Sequence, residues 1–492
     1  MGKKILAFDY GASSGRGIIG EFDGEKISLK EIHRFSNDPV IVGETMYWDI
    51  LRLFFEMKQG MTKAKLAGGF DSIAVDTWGV DFGLIDEAGN LLENPVHYRD
   101  ERTVGMIDRA LEKIDRDKFY QITGIQFMEL NTVFQLLAIK EKRAELLQRA
   151  DKMLLMPDLF NYFLTGKKVA EYSIASTTQM LDAKSGKWSQ ELLDILELPK
   201  EILPTIVPTG TVVGKMRKSI CQELGLENEP EVIAVAGHDT QCAMASVPSQ
   251  EEDFLFISCG TWSLFGTELN EPIINETSYQ LNVTNEGGYQ QKASFLKNII
   301  GLWLVQESRR QWIREGKEFG FAELEKMASQ AKGLRCFVDT DAPEFVTAGN
   351  IPKRIQEYCE QTGQYVPTSE GEIVRCINDS LALKYDSTKK ALEACTGKVY
   401  PAIYMVGGGI QSKMLCQLTA EACGCDVYAG PIEATVYGNI VLQLLATGEI
   451  TSMQKARDIV AASEGVIKYV PQDQEQWQVA KERYKEAIGN TR

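Results

Sequence analysis

Ile5-Leu6-Ala7-Phe8-Asp9-Tyr10-Gly11-Ala12-Ser13-Ser14-Gly15-Arg16-Gly17-Ile18-Ile19-Gly20 is the stretch on which the fold of this chain turns. An apolar run ends in an acid, a turn of small residues follows, and an arginine closes it. Gly, Ala and Ser leave backbone N–H groups uncovered, and hydroxyls and a guanidinium add donors, so the turn suits an anion. An acid beside such a turn suits a phosphate with its metal ion.

The same stretch contains G-x-G-x-x-G at Gly15–Gly20. In a dinucleotide fold that pattern opens a helix and is followed by an acid about 20 residues on. Here Ile18, Ile19 and Phe22 lead into the turn Asp23-Gly24, and then Ile27 and Leu29 alternate with Lys26, Ser28 and Lys30. Alternation, β-branched residues and an Asp-Gly turn predict a β-meander. The stretch therefore reads as a phosphate-holding hairpin, not a dinucleotide fingerprint.

Outward from the hairpin, the first 80 residues read as three strands, a helix and a strand. The helix is predicted from Asp49 to about Leu66, with Ile50, Leu53, Phe54 and Met57 on one face. The strand from Ser72 ends in Asp76-Thr77-Trp78-Gly79. Residues 105–200 read as mainly helical. Glu231–Ala236 is a further strand, followed at once by Gly237-His238-Asp239-Thr240. The polar run Pro248–Asp253 marks the expected domain boundary, giving 1–248 and 249–492. Beyond it, Phe254–Ser258, the turn Cys259-Gly260-Thr261 and Trp262–Phe265 repeat the plan of the opening hairpin. Later come the strand Ile403–Val406, the turn Gly407-Gly408-Gly409, a helix from about Ser412 to Cys423, the strand Asp426–Ala429 and a helix from Glu433 to Leu445.

With 492 residues, two or more domains are expected, and 44% hydrophobic with 25% charged residues is a soluble globular composition. No apolar run reaches the length of a membrane helix, and the N-terminus lacks a signal-peptide core. The net charge of −16 disfavours nucleic acid or an anionic membrane as partner. All ten cysteines lie at or beyond Cys221, and reduced thiols in a cytoplasm are expected. Cys423 and Cys425 do not have the CxxC spacing of zinc or redox sites. Three histidines, His33, His97 and His238, are too few for a histidine-rich metal centre.

Four glycine- or hydroxyl-rich turns follow strands, at Gly11, Gly237, Gly260 and Gly407. Each alone is weak, since turns favour glycine anyway. Together they suit a nucleotide, and the absence of G-x-x-x-x-G-K-[ST] excludes the P-loop form of such a site. Asp239 follows a strand and precedes a helix, so it reads either as an N-cap or as a general base for a substrate hydroxyl. Asp9 reads either as a turn acceptor or as a Mg²⁺ holder acting through water. Arg16 is a surface residue or a phosphate ligand. Trp78 between Asp76 and Asp81 is a core tryptophan or a wall for a polyol.

These residues resemble the FGGY carbohydrate kinases. The matching stretches, in family order, are Asp9–Arg16, Ile32–Phe35, Asp76–Phe82, Tyr98–Asp100, Gly124–Phe127, Leu155–Asp158, His238–Thr240, Gly260–Ser263, Thr284–Gly288, Lys297–Trp303, Val406–Gly409 and Gly430-Pro431. The resemblance implies an α/β chain of two actin-like, ribonuclease H-like domains flanking a catalytic cleft. It implies Mg²⁺- and ATP-dependent phosphorylation of the 1-hydroxyl of L-rhamnulose. Under it Ala12, Ser13, Ser14, Gly15, Arg16, Thr261, Gln306 and Gly408 contact ATP. Gly79, His238, Asp239, Thr240 and Asn298 contact sugar, Asp239 accepts the proton, and Asp9 faces the metal. The rival readings are the same chemistry on another ketose, such as L-fuculose or L-xylulose, and a non-catalytic sugar or nucleotide sensor.

Overall fold

The strand Lys3–Tyr10 is buried on both faces along most of its length. Leu6, Phe8 and Tyr10 enter one core with Trp48, Leu53 and Met57, while Ile5 and Ala7 enter another with Ile440 and Val441. Such a strand is an apolar run in sequence because neither face meets water. The computed structural model describes residues 2–472 and 474–489, which form two compact units. The first holds the chain up to Gln250 with Glu268–Phe295 and Ala434–Ser463. The second holds Glu251–Thr267, Leu296–Glu433 and the chain from Glu464 onward.

In the first unit, Lys3–Tyr10, Ser14–Phe22 and Ile27–Ser36 form the expected antiparallel meander, with Asp9 opposite Arg16. The glycines of the false fingerprint make room for packing. A Cβ on Gly15 would lie 2.2 Å from the Phe35 ring, and one on Gly20 would lie 2.6 Å from Ile440. On the other side of Lys3–Tyr10 run Ser72–Thr77 and Glu231–Ala234, both parallel, with Thr211–Lys215 antiparallel at the edge. The helix Ile50–Leu66 starts where expected: the Asp49 side chain accepts from Arg52 N at 3.2 Å. A hairpin of Val40–Val42 and Thr45–Tyr47 adds to the reading of the first 80 residues. Its three-residue strands, one of them exposed along its length, carry no burial pattern to reveal them in sequence.

The second unit repeats this order. Leu255–Cys259 pairs antiparallel with Trp262–Leu269, whose other neighbour is Ala293–Ile300. On the far side of Leu255–Cys259 come Ala402–Val406 and Asp426–Ala429, both parallel, and then antiparallel Ile467–Tyr469. The likeness of the two hairpins therefore extends to six strands of each sheet, and Thr284–Gly287 adds a seventh beside Ala293–Ile300 without a counterpart in the first. The helices Ala434–Ala446 and Met453–Ser463 cover the Ile5/Ala7 face of the first unit's sheet.

Candidate functional site

Asp9 stands at the end of its strand and is ion-paired with Arg16 across the meander. Between them the turn is braced: Gly11 N donates to Ser14 O at 2.9 Å, Asn37 N to Ser13 O at 3.0 Å and Asn37 Nδ2 to Gly11 O at 2.9 Å. Ala12 and Ser13 are exposed on this braced turn, Ser14 and Arg16 half-buried, and Gly15 buried.

The parallel register places Asp76 beside Asp9. Asp76 Oδ2 accepts from Asn439 Nδ2 at 2.6 Å, while its Oδ1 is buried without a hydrogen-bond partner. Burial pushes its carboxyl well above the ordinary range, and the charges of Asp9 and Asp239 push it further. Ser72, four residues earlier on the same face, donates to Gln443 Oε1 at 2.7 Å, and Gln443 Nε2 donates to Asn439 Oδ1 at 2.7 Å. Strand residues at i and i+4 thus meet helix residues at i and i+4 in a polar seam through an otherwise apolar interface.

Asp239 arrives by the third parallel strand. After Glu231–Ala234 the chain is tied to Ser72–Thr77 by Thr77 N donating to Gly237 O at 2.9 Å. Gly237 N in turn donates to buried Glu171 at 2.9 Å. Glu171 also accepts from Ser173 N, Ser173 Oγ, Ile174 N and the Thr209 hydroxyl. This single carboxylate holds the turn before the candidate base. The N-cap of the next helix is His238, and Asp239 is its first residue, with Oδ1 accepting from Thr240 Oγ1 at 3.1 Å.

His238 sits between two acids. Its Nε2 lies 3.5 Å from Asp239 Oδ1, and its Nδ1 lies 3.0 Å from Glu286 Oε2, off the line of a good hydrogen bond, so the second pair is ionic. Burial opposes the imidazolium, but Glu286 and Asp239 outweigh it and the His238 pKa is raised. Burial raises Asp239, the His238 charge pulls it back, and Asp9 raises it again. The helix Asp239–Ala245 packs against Ala434–Ala446 at Gly438, where a Cβ would lie 1.7 Å from Cys242 O. That backbone contact sets how deep the helix of Asp239 lies.

Gly79 follows Ser72–Thr77, and a Cβ there would touch Thr177 at 3.3 Å. Val80 next to it has φ 68°, a left-handed conformation costly for a β-branched residue. Three hydrogen bonds hold it: Val80 N donates to Thr177 Oγ1, and Val80 O accepts from Thr132 Oγ1 and Gln135 Nε2. Trp78 and Asp81 face inward. Asp81 Oδ2 accepts from Trp48 Nε1 at 2.6 Å and Trp78 Nε1 at 3.0 Å, and burial pushes the Asp81 carboxyl up to about 6. This favours the core reading of Trp78 over the polyol wall.

In the second unit the turn after Leu255–Cys259 gathers three of the expected residues. Thr261 Oγ1 donates to Gln306 Oε1 at 3.2 Å, and the backbone N–H groups of Gly301 and Trp303 both donate to Thr261 O at 3.1 Å. Gly409 lies against Cys259, where a Cβ would be 2.4 Å from Sγ, whereas the corresponding position on Gly408 faces open space. Asn298 is half-buried on Ala293–Ile300. The first unit thus carries Asp9, Ala12–Arg16, Gly79 and His238–Thr240, and the second carries Thr261, Asn298, Gln306 and Gly408. Sequence reasoning assigned no role to Glu171, Glu286, Gly438 or Asn439. Glu286 stood within a matching stretch, but the other three carry no local pattern.

Residues 4–246 match the FGGY family of carbohydrate kinases, N-terminal domain, and residues 255–447 match its C-terminal domain. A rhamnulokinase of Bacteroides thetaiotaomicron is 39% identical over 99% of this chain and 100% of its own length. A rhamnulokinase of Halalkalibacterium halodurans is 40% identical, covering 96% and 99%. Among solved structures, xylulose kinase from Lactobacillus acidophilus is similar with a TM-score of 0.79 at 17% identity, covering 99% of this chain and 96% of that one. Plasmodium falciparum glycerol kinase with ADP is similar with a TM-score of 0.80 at 15% identity, covering 99% and 98%. At such identities these two speak for the fold alone.

Proposed function

Since the chain belongs to the FGGY family of carbohydrate kinases, we propose that it transfers the terminal phosphoryl group of ATP to the 1-hydroxyl of L-rhamnulose, giving L-rhamnulose 1-phosphate and ADP. The observation that carries the reading is Asp239. Its carboxylate opens a helix, on a turn fixed by Glu171 and by the strand that holds Asp76. Phosphoryl transfer asks a protein for positioning and charge neutralisation more than for covalent chemistry. Asp239 would accept the hydroxyl proton, and His238, Thr240, Gly79 and Asn298 would orient the sugar. Ala12 to Arg16, Thr261, Gln306 and Gly408 would hold the nucleotide. In domain terms, 1–248 would supply most of the sugar contacts, the first phosphate loop and the base, and 249–492 would supply Asn298 and the remaining nucleotide contacts.

The acids fit a divalent cation. Asp9 and Asp76 are adjacent, Asp239 acts electrostatically on Asp76, and Asp76 Oδ1 is an orphaned buried acceptor. Asp9 would hold Mg²⁺ with water in its shell, and the ion would neutralise phosphate charge. Among the described residues no helix is long and apolar enough to cross a membrane. A net charge of −16 disfavours nucleic acid and an anionic membrane surface, and the partners would be ATP and a sugar met in a cytoplasm.

The test is ADP formation with and without L-rhamnulose, for the wild type and Asp239→Asn. We expect sugar-dependent turnover that falls by about 10²- to 10⁴-fold in the variant. Turnover that survived the substitution would remove Asp239 as base, and absence of sugar stimulation would favour a sensor. A higher kcat/KM for L-fuculose or L-xylulose would move the assignment to that sugar.

A further inference from the structure

We propose that Cys336, Cys359 and Cys376 in the second unit form an all-sulfur site for a soft monovalent d¹⁰ cation of the copper(I) class. Their three Sγ atoms lie within 4.8 Å of one another, and all three residues are buried. Metal–thiolate bonds of about 2.3 Å in a trigonal plane need sulfurs about 4.0 Å apart, so only a small contraction closes the site. Among the described residues, no histidine nitrogen or carboxylate oxygen joins the three sulfurs. A structural zinc ion is almost always four-coordinate and would lack its fourth donor, whereas soft thiolate donors select copper(I).

The three thiols come from different elements held at fixed separation. Cys359 lies on the helix Ile351–Gln361 and Cys376 on Glu370–Thr396. Cys336 lies on an irregular segment pinned to Glu370–Thr396 and to the loop joining the two helices. Leu334 N donates to Asp379 Oδ2 at 2.6 Å, Phe337 N to Gln364 Oε1 at 2.8 Å and Val338 N to Ser380 Oγ at 3.0 Å. Gln364 Nε2 returns a bond to Phe337 O at 2.8 Å. Asp379, the acid nearest in this network, is occupied by Leu334 N and by Arg375 Nε at 2.8 Å. The three sulfurs face one another inside the protein, so an ion bound among them would be held by thiolates alone. Thiols that bind as thiolates release their protons to solvent as the ion enters, so uptake weakens as the pH falls.

The experiment uses the full chain, purified reduced under nitrogen, and titrated with copper(I) against bicinchoninate. The expected result is one copper(I) held per chain, with a thiolate-to-copper absorption band. Uptake should be lost in Cys359→Ser and in Cys336→Ser and kept in Cys395→Ser. Circular dichroism identifies any variant that fails to fold, and the other site variant then decides. No retained copper in the folded wild type, or uptake unchanged in both site variants, overturns the proposal. So does tighter retention of zinc than of copper(I), or a mass two hydrogens low that maps to a bond between two of the three cysteines in the anaerobic protein.

Discussion

His97 stacks on Trp48 with ring centroids 4.1 Å apart, and its Nδ1 accepts from Arg99 N at 2.9 Å, so the folded chain holds the neutral ring. Burial lowers its pKa from 6.5 to about 3. The unfolded chain therefore binds this proton first as the pH falls, and the stability His97 contributes is present above 6.5 and lost toward about 3. Asp81 acts in the opposite sense. Its folded pKa of about 6 exceeds the unfolded 3.8, so its contribution is present below 3.8 and lost as the pH rises through about 6. We expect the thermal midpoint of His97→Phe to fall less steeply than that of the wild type below pH 6.5. Parallel curves would assign the acid sensitivity elsewhere. Glu286 makes a second prediction, read in activity. It favours the charged form of His238, which draws the Asp239 pKa down. Glu286→Gln should move the acid limb of kcat/KM to higher pH, and an unmoved limb would show that Glu286 does not set the charge of His238.

At the level of elements, two helices decide where the candidate base sits. Ala434–Ala446 touches Asp239–Ala245 at Gly438 and reaches Asp76 through Asn439. Gly438→Ala puts a methyl group 1.7 Å from a backbone oxygen, and the helix of Asp239 must move. Overpacking of this kind costs about 1–3 kcal/mol. A displacement near 1 Å at a reacting group costs about 10²-fold in rate. Kinetics and thermal unfolding of Gly438→Ala should show both losses, and wild-type kcat would mean that the helix contact does not position the base. Asn439→Leu removes the hydrogen bond to the buried Asp76 carboxyl and should cost about 1–3 kcal/mol in denaturant unfolding. The opening hairpin, the capped helix after Asp49 and the strands that follow were legible because period and turn chemistry are local, whereas their parallel pairing came only with the structure. The polar seam was not, because Asn439 and Gln443 belong to an otherwise apolar helix whose partners lie more than 360 residues earlier.

For the molecule as a whole, six strands of each sheet follow one order, a three-strand run, two parallel strands and an antiparallel edge, and the second sheet adds Thr284–Gly287. Seven of the ten cysteines are buried and three, Cys395, Cys423 and Cys425, are intermediate. Ellman titration should find ten thiols in guanidinium and at most three reacting quickly in the native protein. More than three fast thiols would mean that the cores open on the assay timescale. The chain also crosses between the units more than once, since Ala434–Ser463 returns to the sheet begun at Lys3. Loss of that return segment should therefore expose the Ile5/Ala7 face.

By itself the sequence determined the kind of elements, their order and the family. An apolar run, an Asp-Gly turn and a cap are read within a few residues, and ordered motifs over nearly the whole length are specific in combination. It also placed Asp9 at a strand end and Asp239 between a strand and a helix, and the structure finds Asp9 near the end of Lys3–Tyr10 and Asp239 as the first residue of its helix. Tertiary structure alone decided what surrounds them. Glu171 secures a turn 66 residues away, Glu286 faces His238 from another segment, and Asn439 meets Asp76 across the sheet. The protonation of an acid depends on its burial and on the charges packed against it, and neither exists until distant segments meet.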